Sequence, residues 1–170
     1  MPTPQETLID YLRDAYAMEQ QALSVIDRQL ERVANYPAVQ QKLQQHRIET
    51  ESQAERLETC LQRLGSDTSA VKTGVAKLGS NLQAMMNMFA SDEIMKDMIS
   101  NYAFENYEAV NYKILATTAE VAGEPEVARI ANEILKEEEA MIRWLDENVP
   151  SVTRDYLARD SGAAPQAASR

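Results

Sequence analysis

The chain has 170 residues, a formal net charge of −10 and 44% hydrophobic residues, enough for one domain with a substantial core. The acidity works against nonspecific nucleic-acid binding and against anionic membranes; no apolar run is long enough to span a bilayer and no leader pattern opens the chain, so a cytoplasmic protein is expected. Gly and Pro are scarce, at five and six, and no strand-type alternation is sustained, which points to an almost all-α protein.

The first helix is expected from Thr3-Pro4, a cap followed by a proline suited to the first helical position, to about Asn35. Its apolar stripe runs Leu8, Leu12, Tyr16, Leu23, Ile26, Leu30, with Glu19 in a core slot. After a short break at Tyr36-Pro37 the second helix runs to Leu64, and its stripe is again apolar at both ends and polar in the middle: His46, Glu49, Thr50, Gln53. The tight turn makes the two helices antiparallel neighbours. The single cysteine, Cys60, lies on this stripe and reads as a buried thiol with no internal disulfide to make.

Gly65 and the turn residues after it end the second helix. Val71 to Phe89 is less regular, with one or two short helices, and is long enough to cross from one end of a bundle to the other. Its Met85, Met86, Met88 and Phe89 are read as packing residues. The third helix starts at a Ser91 cap and ends near Val121, with Glu105 and Glu108 in its stripe. The fourth runs from Pro125 to Asn148 with Glu137 and Glu138 in its stripe. Pro150 is expected to stop it, leaving a short helix over 151–159 and a disordered tail over 162–170. The domain is therefore set at residues 1–150, with 151–170 as an appendage.

The first two helices match the last two in outline. Tyr16-Ala-Met-Glu19 matches Tyr102-Ala-Phe-Glu105, Pro37 matches Pro125, and Leu57 matches Leu145. Two helical hairpins joined by a long crossover give a ferritin-like four-helix bundle.

Each helix thus places a glutamate mid-stripe: Glu19, Glu49, Glu105, and Glu138 or Glu137. A carboxylate in an apolar core costs several kcal/mol unless it is paired or bound to metal. Three accounts compete. The glutamates face solvent; or they pair with bases or share protons with Tyr16, Tyr102 and Gln53; or they hold metal. No Lys or Arg lies at their level of the stripe. Oxygen ligands on facing helices suit iron or manganese, and two divalent ions offset four carboxylates.

The run Ile134 to Leu145 resembles the last bundle helix of bacterioferritins, except that Met141 stands where their ligand histidine follows the glutamate. A fuller resemblance is to the YciF-like ferritin-like family (domain of unknown function 892). It is carried over residues 5–148 by Tyr16-x-x-Glu19, His46-x-x-Glu49-Thr50-x-x-Gln53-x-x-Arg56-Leu57, Glu105-x-Tyr107-Glu108-x-x-x-Tyr112 and Leu135-x-Glu137-Glu138. The resemblance implies a di-metal bundle, in a family linked to stress responses, with Glu19, Glu49, Glu105 and Glu138 as ligands. The Glu-x-x-His pairs of well-characterised di-iron proteins are absent, since Ser52 and Met141 occupy those positions. Glu108 and His46, one turn from Glu105 and Glu49, are the substitutes within reach. Gln53 and Glu137 are expected beside the ligands. Tyr16 and Tyr102, one turn before Glu19 and Glu105, would hold the carboxylates or donate single electrons; their plainer role is packing with one hydrogen bond.

The expected function is binding of two metal ions, iron first and manganese or zinc after it, with chemistry on dioxygen or peroxide. The alternatives are a structural or interaction protein with a vestigial or structural metal site, and a metal-free partner-binding module built on the Met85–Phe89 patch. A homodimer is expected, because the crossover and the first helix offer apolar surface.

Overall fold

The computed structural model describes residues 1–69 and 93–160. Four long helices account for nearly all of them: α1 (Pro4–Leu30), α2 (Pro37–Arg63), α3 (Glu93–Ala122) and α4 (Pro125–Asp160). The expected crossover, its Met85–Phe89 patch, the Ser91 cap and the 162–170 tail lie outside the described residues. No strand occurs among the described residues, and no helix there is long and apolar enough to cross a membrane.

Local chemistry sets the ends. At the start of α1 the Thr3 hydroxyl accepts from the Glu6 N–H at 3.2 Å while the Thr3 N–H donates to the Glu6 carboxylate at 2.7 Å, a reciprocal cap. A 3-10 turn over Val33–Asn35 replaces the last turn expected of the first helix. Gly65 (φ 71) and Gly123 (φ 76) close α2 and α3 in the left-handed conformation; there Ser66 N–H bonds Leu61 O at 2.9 Å and Glu124 N–H bonds Ala119 O at 2.9 Å.

Helix α1 packs on α2 and α3, and α4 packs on α3 and α2. The hairpins α1–α2 and α3–α4 therefore face each other, with α2 and α3 on a diagonal. The core is divided. One apolar cluster holds Leu8, Leu12, Leu57, Leu61, Leu115 and Ile134. A second holds Ile26, Leu43, Met98, Met141, Leu145 and Val152. Above the mid-level, a buried amide pair joins α1 to α3: Gln29 Nε2 donates to Asn101 at 2.9 Å, and Asn101 Nδ2 donates back at 3.2 Å. Arg32 donates to both Asp97 carboxylate oxygens, at 3.0 and 3.2 Å.

The expected stop at Pro150 does not occur: α4 continues through it to Asp160. A proline inside a helix costs about 3 kcal/mol through its missing N–H and its clash with the preceding turn. Contacts further on offset this. Val152 is buried in the second cluster, which is worth about 1.5–3 kcal/mol. Arg159 stacks 5.1 Å over the Tyr36 ring and donates to Asn35 O at 2.6 Å. The last turns of α4 are thus clamped onto the α1–α2 connection.

Candidate metal centre

Between the two apolar clusters lies a polar belt, built by all four helices. Helix α1 contributes Glu19; α2 contributes His46, Thr50 and Gln53; α3 contributes Glu105, Glu108 and Tyr112; α4 contributes Glu138. Each of these side chains is buried. On α3, Glu105, Glu108 and Tyr112 follow one another at steps of three and four, so one helix face carries them all.

His46 Nε2 lies 3.1 Å from Glu105 Oε1. His46, Glu105 and Glu138 each bring one ligand atom within 4.8 Å of the others. The Tyr112 hydroxyl donates to Glu19 Oε1, and Gln53 Nε2 donates to Glu138 Oε1. After these bonds are formed, five buried polar atoms still have no hydrogen-bond partner among the described residues: His46 Nδ1, Gln53 Oε1, Glu105 Oε2, Glu108 Oε1 and Glu138 Oε2. Four of the five are acceptor oxygens, and all sit where an unmet polar atom is costly.

The electrostatics agree with the geometry. Burial, opposed by the Tyr112 hydrogen bond and the charge of His46 and aided by Glu105, pushes the Glu19 carboxyl up to about 8. Burial and the neighbouring carboxylates raise Glu108 and Glu138 well above the ordinary range. For His46, burial works against the charged ring, but Glu105, Glu49 and Glu138 outweigh it and lift its pKa well above 6.5. The belt is short of positive charge. Among the described residues its one cationic partner is an imidazole facing four buried carboxyls. A cation would occupy the position that protons otherwise take.

The donor set therefore fits metal. It is rich in oxygen, contains one imidazole, is drawn from four helices, and retains acceptor lone pairs that the protein leaves unmet.

Of the residues singled out in the sequence, Glu19, His46, Gln53, Glu105, Glu108 and Glu138 converge. Glu49 and Glu137 stand at the rim. The Glu49 side chain is 28% exposed, accepts from Gln45 at 2.7 Å, and lies 3.6 Å from His46 Nδ1, beyond hydrogen-bond range. Glu137 accepts from Arg56 at 2.5 Å and from Gln53 at 3.0 Å. The two tyrosines expected beside the carboxylates are not there. Tyr102 is 38% exposed on the outside of α3 and bonds Asp146, and Tyr16 packs against the first apolar cluster. At 100° per residue Tyr102 lies about 60° to one side of Glu105 while Glu108 lies about 60° to the other, so Tyr102 is about 120° from Glu108 and falls outside the face that the belt uses. Tyr112 takes the role instead. Its place seven residues after Glu105 and four after Glu108 was the available signal.

The internal repeat explains the rim. The pairing that matches Pro37 to Pro125 and Leu57 to Leu145 also matches Glu49 to Glu137 and Thr50 to Glu138. The two rim carboxylates are equivalents, and the true counterpart of Glu138 is the buried Thr50. Helix α2 thus lacks a central carboxylate. His46 on α2 and the extra Glu108 on α3 supply donors in its place.

The sequence matches the family described as a domain of unknown function (DUF892) over residues 3–158. A solved protein from Xanthomonas campestris is 30% identical, with a TM-score of 0.79 over 94% of this chain and 99% of that one. The Escherichia coli stress protein YciF is 23% identical, with a TM-score of 0.69 over 86% of this chain and 94% of that one. The bacterioferritin of Desulfovibrio desulfuricans, whose structure describes a diiron site, is 18% identical with a TM-score of 0.72 over 100% and 98% of the two chains. The last two likenesses concern the fold, a ferritin-like four-helix bundle. With its sequence matched almost end to end and its architecture shared, the chain belongs to the DUF892 family.

Proposed function

We propose that this protein binds a pair of divalent metal ions, iron in the first place, in the belt between its two apolar clusters. One observation carries the reading: five buried, unpartnered polar atoms converge where four carboxyls face a single imidazole. Glu105, Glu138 and His46 Nε2 would form one end of the ligand set, and Glu19 and Glu108 the other. Glu49 stands 3.6 Å from the second nitrogen of His46 and would hold it after a small shift, and Gln53 and Tyr112 would orient Glu138 and Glu19. Carboxylate-dominated donors favour iron or manganese over zinc, which prefers nitrogen and sulfur. A pair of bound Fe(II) ions would supply two electrons at once, enough to reduce dioxygen to peroxide or peroxide to water, a chemistry suited to limiting oxidative damage under stress. The chain's own residues supply the rest. Leu57, Met141 and their neighbours exclude water from above and below the belt, and Tyr112 keeps a proton beside Glu19.

A second reading, a metal site without turnover, is favoured by one fact: Met141 is buried in the apolar cluster at the position where a second histidine would complete the ligand set. Two measurements test both. Protein purified without chelator should carry about two ions per chain, and Glu105→Gln at most one. Equal and negligible metal in both proteins overturns the proposal. Consumption of dioxygen or peroxide on Fe(II) addition selects the first reading; stable metal without consumption selects the second.

A further inference from the structure

The sides of the belt are not equally closed. The apolar clusters shut it above and below. Toward α1 and α3, Gln29 and Asn101 satisfy each other's amides. The α2–α4 side is the least closely packed of the four among the described residues, and the partly exposed carboxylates stand there.

Glu49, Gln53 and Arg56 follow one another on α2 at steps of four and three, along one helix face. Glu137 meets that face from α4. From the outside inward the order is an ion pair, an amide and a belt carboxylate. The Arg56 and Glu137 side chains are 25% and 33% exposed and lie 2.5 Å apart. Gln53, behind them, is fully buried, and its Nε2 donates both to Glu137, at 3.0 Å, and to Glu138. Its Oε1 has no hydrogen-bond partner among the described residues. Glu49 flanks the same opening, in front of the unpartnered His46 Nδ1.

The repeat does not call for this device. The pairing that matches Glu49 to Glu137 gives Arg56 the counterpart Trp144 and Gln53 the counterpart Met141. Both halves carry the rim carboxylate; one half alone carries the amide and the base. A buried amide with an unmet oxygen is costly where the other half places a methionine. The two ends of the amide offer a use for it. The donor end holds Glu137 and Glu138 together when no cation is present. Turned over, the same group offers an oxygen ligand to a divalent ion, and the ion takes over the two carboxylates.

We propose that divalent cations enter the belt between α2 and α4. Glu137 receives the ion at the rim, Arg56 is the latch that covers Glu137, and Gln53 turns to pass the ion to Glu138. The inference rests on the metal reading above and adds a route to that site. The acidic rim concentrates cations at the opening, and a doubly charged ion displaces the single charge of Arg56 from the carboxylate.

The test mixes chelator-treated, full-length protein rapidly with Mn(II). Loss of the free-ion electron paramagnetic resonance signal reads the rate of entry, and equilibrium dialysis reads the final content. Glu137→Gln should slow entry and Arg56→Gln should speed it, each by roughly tenfold, with final content and far-UV spectrum unchanged. Both substitutions break the same ion pair, so a merely structural role would move the two rates in the same direction. As a control, Glu147→Gln removes the same charge at an exposed position further along α4 and should load at the wild-type rate. Rates that move together, or a wild-type rate in either variant, overturn the proposal and leave the metal reading standing. So does Glu137→Gln protein that holds fewer ions at equilibrium, which would make Glu137 a ligand. A wild type that takes up no Mn(II) overturns both.

Discussion

Chelator-treated protein should lose stability as the pH rises, the reverse of what most acidic proteins do. Glu19 sets the scale. Its carboxyl moves from an ordinary 4.5 to about 8 on folding, chiefly through burial. The folded state therefore keeps a proton that the unfolded chain releases. The associated stability is present in full below 4.5 and is lost progressively until the pH passes 8. At 1.36 kcal/mol per pH unit this one group is worth about 5 kcal/mol, against a typical domain stability of about 5–15 kcal/mol. Glu108 and Glu138 are raised as well and act in the same direction. So does His46, whose raised pKa gives stability that is complete below 6.5 and is lost at higher pH. Urea denaturation followed by far-UV circular dichroism, from about pH 5 to pH 8.5, should show a fall of several kcal/mol. Adding Mn(II) should remove most of that fall, since deprotonated carboxylates are what the ion binds. If the chelator-treated protein is equally stable across this range, or gains stability with pH, the belt is not a set of buried, proton-hungry carboxyls and the reasoning fails.

Two further substitutions separate the belt from the packing around it. Tyr112→Phe removes the one donor to Glu19 Oε1 and should cost about 1–3 kcal/mol in the metal-free protein; unchanged urea midpoints would show that the hydroxyl does not hold that carboxylate. Leu145→Ala, at a fully buried site in the second cluster, should cost about 2–5 kcal/mol and lower the melting temperature while metal content per folded chain stays the same; lost metal would show that the belt depends on that cluster.

The fold was legible because its signals are strong and local: caps at Thr3 and Gly65, and four stripes of helical period. The end of the last helix was misread because a proline is a local signal, whereas Val152 and Arg159, which hold the helix past it, act through contacts far along the chain. In the belt, Glu19, Glu105, Glu108 and Glu138 could be seen as glutamates in core slots. The rotation of α2 could not. Its stripe is polar over His46, Glu49, Thr50 and Gln53, and a polar stripe does not say which of its members points inward. Matching the hairpins residue by residue would have exposed Glu49 as the twin of Glu137. Tyr102 misled for a related reason: the repeat made it conspicuous, but conspicuousness in a repeat carries no information about facing.

The amide pair between Gln29 and Asn101 bears on how such a repeated chain avoids the wrong assembly. Two similar hairpins invite exchange, in which two molecules trade halves and each α1 lies against another α1. The pairing that matches Glu19 to Glu105 makes Ala15 the counterpart of Asn101, and Leu115 the counterpart of Gln29. In an exchanged pair each Gln29 would therefore meet an alanine and each Asn101 a leucine. Four buried amides would be stranded, at about 1–3 kcal/mol apiece. One complementary contact between unlike halves is enough to make each hairpin recognise its sibling rather than its own image.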